Sequence, residues 1–211
     1  MPRIPDVPAH RTAALTVRKV LDQGRAALHA AHDALHELDD APTRRQLALI
    51  RQVIHECRRS TFVLQKLSSR AMAFDAWYAP RRKAMVDDPL MRYFHNMRTV
   101  IEKEGMPGVL AELVDRQSGA VLADVACFED RHGVFVTGAG RAEANLPPGP
   151  LAQDASHLSL RNFRLPDPPL HHRGSPLTDL RFSALADLAI AWLWTDIFEP
   201  AQAEFGDVPT T

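Results

Sequence analysis

The stretch Asp87–Gly105, DDPLMRYFHNMRTVIEKEG, carries its own start and stop signals. Asp87 and Asp88 can accept the first free N–H groups of a helix. Pro89 suits the first helical position, where no N–H is needed. Gly105 fits the positive-φ residue just past a helix end. Leu90, Phe94, Met97 and Ile101 recur at steps of three and four, so the spacing predicts one apolar helical face. Arg98 lies beside that face. His95, Asn96, Glu102, Lys103 and Glu104 occupy the rest.

Two longer helices precede it. From about Ala9 to Leu38, the residues Ala14, Val17, Leu21, Gly24, Leu28, Ala31, Leu35 and Leu38 form a heptad seam. Asp39, Asp40 and Pro42 break the chain. From about Thr43 to Met72, a second seam runs through Leu47, Ile50, Ile54, Cys57, Thr61, Leu64 and Ala71. A short loop between long helices predicts an antiparallel hairpin. Phe74, Trp77 and Tyr78 before Pro80 read as an aromatic bend at the bundle end, followed by the basic segment Arg81-Arg82-Lys83.

Beyond Gly105 the period changes. Val121–Phe128 and Val134–Thr137 read as a β-hairpin around EDRHG, with a possible third strand at Leu110–Val114. Residues 138–175, rich in Gly, Pro and Asn, read as one long irregular stretch. A last helix starts near Ser183 and carries Leu185, Leu188, Ala189, Trp192, Thr195 and Phe198, with Pro200 ending or kinking it. The fold class is therefore mainly α: an up-and-down four-helix bundle with a small antiparallel β insertion before the last helix. One domain spans 1–211. Its helical core is 9–105, its insertion of hairpin and proline-rich loop is 106–175, and its final helix lies in 176–205.

The 211 residues include 25 Lys+Arg against 26 Asp+Glu, a formal net charge of −1, so no global basic field draws in nucleic acid and DNA binding is not expected. Cys57 and Cys127 stand far apart and read as reduced thiols. MPRIPDVPAH lacks the apolar run of a signal peptide, and the apolar segment around Leu185–Phe198 is too short to span a membrane. A cytoplasmic location with no membrane partner is the expectation.

RRSTFVLQK (Arg58–Lys66), FDAWY (Phe74–Tyr78) and DPLMRYFHNMRTVIEKEG (Asp88–Gly105) together carry a resemblance. The chain resembles a family of uncharacterised bacterial proteins that is itself similar to the HEPN superfamily. That superfamily consists of helical bundles which include metal-independent ribonucleases of toxin–antitoxin and defence systems. The resemblance implies a HEPN-like bundle and a homodimer with a composite site. Arg98 matches the arginine of the Arg-x4-His motif, and Lys103 stands where the histidine belongs, so the motif is degenerate. A guanidinium holds phosphate through its fork of donors. A lysine, with an ordinary pKa near ~10.4, is a poor base unless burial depresses it. His95, one turn before Arg98, is the substitute proton carrier.

The candidate catalytic set is thus Arg98, Lys103 and His95. The candidate phosphate- or ligand-binding set is Arg92, Arg98, His171 and His172. Arg81-Arg82-Lys83 with Arg92 reads as a basic patch suited to an RNA backbone. His29, His32, His36 and His55 offer a loose likeness to DinB-like metal-binding bundles. His29, His36 and His55 fall on the outer sides of their heptads, so no metal and no other cofactor is expected. The expected role is a non-catalytic or degenerate protein of a bacterial defence or stress system that binds RNA or a partner protein. The alternative is a metal-independent endoribonuclease with Arg98 at a dimer interface.

Overall fold

The computed structural model describes residues 9–130, 133–137 and 157–206, with side chains at 17–42, 45–127 and 157–206. The extended lead-in expected at 1–8, the Gly138–Gly140 and LPPGP segments, His132 and the tail from 207 lie outside the described residues. The protein is mainly helical with a small antiparallel sheet.

Helices α1 (Ala9–Glu37) and α2 (Thr43–Leu64) fold back on each other across the break at Asp39–Pro42. From Val17 onward every seam residue of α1 is buried, as are Leu47, Ile50, Ile54, Cys57, Thr61 and Leu64 of α2. Each fully buried aliphatic side chain contributes about 1.5–3 kcal/mol, so the hairpin is held chiefly by its seam. Helix α2 stops short of the expected Met72. Its last turns tighten into a 3-10 segment, Gln65–Ser69, and Met72 lies fully exposed.

The aromatic segment departs from the expected bend. Phe74–Asp87 is a helix, α3, with Pro80 inside it. Pro80 deprives the helix of one internal hydrogen bond. Stacking at the bundle end offsets that loss: Phe74 and Tyr78 rings lie 5.1 Å apart, and Trp77 meets Phe205 edge-on at 5.3 Å. Arg81 lies over the Trp77 ring at 3.9 Å and donates to the Trp77 carbonyl. The four-helix reading is therefore short by one helix.

Helix α4 (Pro89–Glu104) has the predicted face, with Leu90, Phe94, Met97 and Ile101 buried. The Asp88 carboxylate accepts the N–H groups of Leu90 (2.9 Å) and Met91 (3.1 Å), and Gly105 ends the helix at φ 87°.

The sheet has order β3-β2-β1-β4, built from β1 (Val109–Asp115), β2 (Val121–Asp130), β3 (Gly133–Thr137) and β4 (Leu158–Arg164), with every pairing antiparallel. Strand β4 falls inside the stretch expected to be irregular. Gln46 of α2, fully buried, donates to the carbonyls of Leu38 and Leu160 and so ties the α1–α2 turn to β4. A small hairpin follows: β5 (His171–His172) and β6 (Ser175–Pro176). Its two-residue loop has positive φ at both Arg173 (52°) and Gly174 (77°), the geometry that matches strand twist in tight hairpins.

Helix α5 (Phe182–Trp192) passes into a wide π turn, Leu193–Phe198, and then α6 (Glu199–Phe205). Pro200 opens α6 instead of ending the run. The widened turn sits directly before the residue that lacks an N–H. This run packs on α1 and α2, with Phe198 against Gly24. Val109, Leu113, Leu160 and Phe163 of the sheet join the same core as the helices.

Candidate functional site

A half-open cleft of about 430 Å³ lies between α2, α3 and α4 and is backed by α5 and the π turn. Helical periodicity explains who lines it. On α2, Ile54, Cys57, Arg58 and Thr61 share a face, continued by Gln65 at the start of the 3-10 segment. On α3, Tyr78, Arg82, Met85 and Val86 do, and on α4, Met91, Arg92, His95 and Asn96 face it along with Phe94. Ala189 and Leu193 form the back wall.

The cleft is graded in polarity. Ile54, Cys57, Phe94, Ala189 and Leu193 are buried. Arg82, Arg92, His95 and Asn96 are exposed, and Arg58 is half-buried. Three guanidinium groups from three helices therefore face one apolar hollow, and among the described residues no aspartate or glutamate lines it. Among the described residues none of the three is ion-paired; Arg58 donates to the Thr61 hydroxyl at 3.1 Å. Such a grouping creates a locally positive potential in a chain with almost no net charge. Burial raises the Tyr78 pKa, while Gln65 and the charges of Arg58 and Arg82 work against that rise. The Cys57 thiol is pushed up to about 12 by burial, helped by the nearby Glu56 charge. It is protonated at neutral pH and is no nucleophile.

The predicted site residues divide. Arg92 and His95 line the cleft. Arg98 does not: at 100° per residue it lies roughly 240° around α4 from Arg92. Its Nη2 sits 2.6 Å from Glu102 Oε1, and His55 Nδ1 of α2 lies 4.0 Å from the same oxygen. Lys103 is exposed and is not part of the cleft wall. Of the expected catalytic set, His95 lines the cleft, while Arg98 and Lys103 do not. His171 is exposed, whereas His172 is buried and its Nδ1–H donates to both oxygens of Asp88 at 3.1 and 3.2 Å. His172 also meets Trp192 edge-on at 5.6 Å. With the Arg173 N–H donating to Asp88 at 2.8 Å, this pair pins the hairpin to the start of α4.

The basic patch is divided too. Arg82 faces the cleft, Arg81 is spent on Trp77, and Lys83 is paired with Asp87. The four histidines weighed as metal ligands have separate neighbours. His29 meets Trp194, His32 and His36 contact each other, and His55 faces Glu102. Arg58 is the cleft arginine the sequence does not single out, and Arg82 stands out there only as part of a basic patch. Arg58 lies in a motif read only for its resemblance, and Arg82 in a run whose three members point different ways.

A family model described as Bacteriophage lambda protein ea47 matches residues 10–112. The match takes in α1 to α4, and so all three cleft arginines. It overturns the HEPN resemblance, since the family found is a phage protein family and no HEPN family matches. No curated protein matches the chain, and neither does any solved structure.

Proposed function

We propose that this chain is a non-catalytic binding protein that takes an anionic ligand in the α2–α3–α4 cleft. The observation that carries this reading is the convergence of Arg58, Arg82 and Arg92, without acid partners, on one apolar hollow. A volume of about 430 Å³ falls within the range of small-molecule sites, about 300–1,000 Å³. Catalysis has less support. His95 is the one exposed proton carrier in the cleft, no carboxylate stands beside it, and the thiol is protonated. An endoribonuclease built on Arg98, Lys103 and His95 would need those groups together, and Arg98 is already engaged by Glu102. The homodimer expected from the resemblance is not required either, because one chain supplies every wall of the cleft.

Thermal melting tests the reading with a panel of carboxylates, nucleotides and short RNA oligomers on the wild type and the double variant Arg82→Ala/Arg92→Ala. The expected result is that at least one anion class raises the wild-type Tm by several degrees and leaves the variant unmoved. Equal stabilisation of both proteins contradicts it.

A further inference from the structure

We infer that the ligand is a single-chain amphiphile: an alkyl or acyl chain ending in one anionic head group. This rests on the binding reading above and names the ligand class for the same cleft. The gradient of polarity carries it. The rim holds the cations Arg58, Arg82 and Arg92, while Ile54, Phe94 and Leu193 lie deep inside and carry no polar side-chain atom.

Ile54, Phe94, Ala189 and Leu193 of the floor offer a base or sugar no side-chain partner, and the buried Tyr78 hydroxyl is already engaged by Gln65. Buried side-chain polar atoms without a partner occur, among the described residues, at Gln46, Tyr93 and Ser159, none of which lines the cleft. The Thr61 hydroxyl is already used, donating to the Arg58 carbonyl at 2.9 Å and accepting from the Arg58 guanidinium. A nucleobase placed there would surrender its hydrogen bonds to water and gain none, a cost of at least ~1–3 kcal/mol per group. A hydrocarbon chain loses nothing and gains about 0.8 kcal/mol for each methylene removed from water. Met85 and Met91 add flexible walls that can close around chains of different shape. The head group stays at the rim, where guanidinium forks match the oxygens of a carboxylate or a phosphate monoester. The absence of any acid in the lining disfavours a cationic amphiphile.

Isothermal titration with three probes tests this: decanoate, decanol and AMP, all below any aggregation threshold. Decanoate has chain and charge, decanol the chain alone, and AMP the charge alone. The inference expects decanoate to bind at least tenfold tighter than either of the others. It also expects Arg82→Glu and Met85→Glu each to weaken decanoate at least tenfold while circular dichroism stays unchanged. Both positions are at least partly exposed, so both variants are expected to fold. Decyl phosphate, run alongside, tells a phosphate head from a carboxylate head within the class. AMP binding tighter than decanoate overturns the ligand class and leaves the anion-binding reading standing. Failure of every anion to bind overturns both.

Discussion

Asp88 holds two pieces of the chain together with one carboxylate. It accepts two N–H groups at the start of α4, the Arg173 N–H and the His172 ring, at 8% exposure. Burial by itself would raise its pKa. The Arg173 and Met91 N–H groups, followed by His172, outweigh burial and hold it below the usual carboxylate value. A folded pKa below the unfolded one means stability that is fully present above about pH 4 and lost as pH falls through the folded value. Asp88→Ala is expected to cost about 2–3 kcal/mol in urea unfolding, through the lost cap and the orphaned hairpin donors. Asp88→Asn should flatten the acid limb of the stability profile, and an unchanged acid limb would show that the carboxylate is not the titrating group. Cys57 offers a second residue-scale check. Buried and with a pKa near 12, it should resist iodoacetamide at pH 8 in the native protein and react once urea is added, as read by mass spectrometry. Fast labelling of the native protein would mean that the cleft floor is open to water.

At the scale of elements, the widened run after α5 depends on one small residue opposite it. A Cβ on Gly24 would come within 2.4 Å of the buried Phe198 ring. Gly24→Ala therefore gains helix propensity of about 1 kcal/mol but forces a repacking that costs about 1–3 kcal/mol. The expected net result is a lower Tm, and a higher one would show that the π turn yields easily. The seams of α1 and α2 and the face of α4 were readable because a helix repeats its environment every three or four residues. Helix α3 was not readable, since Pro80 argues against a helix and the stacking that keeps it comes from Phe205, far along the chain. Strand β4 was equally hidden. It pairs with β1 across a long separation, and its apolar–polar alternation lasts only from Leu158 to Arg161 before Asn162, at φ 53°, interrupts it beside a register shift.

For the whole molecule, the arrangement of helices decides which charges are free. Local spacing finds Arg98 with Glu102 and Lys83 with Asp87, pairs that lie one turn apart on one helix. It cannot find that Arg58, Arg82 and Arg92, on three helices, meet because α4 packs beside α2 while α3 packs on α4 and on the 3-10 segment that follows α2. The candidate site was thus partly legible: Arg92 and His95 stand out in the sequence, Arg82 stands out as part of a basic run beside Arg92, Arg58 does not, and Arg98 and Lys103 do not line the cleft. The cleft walls from α2, α3 and α4 all lie within the stretch similar to the phage ea47 family, while Ala189 and Leu193 of the back wall come from the remainder. The most direct test of the cleft as the binding site is an amide chemical-shift map of the protein titrated with decanoate. The shifts are expected to concentrate at Cys57, Arg82, Phe94 and Leu193. Shifts clustered instead around Arg98 and Lys103, with the cleft residues unmoved, would contradict it.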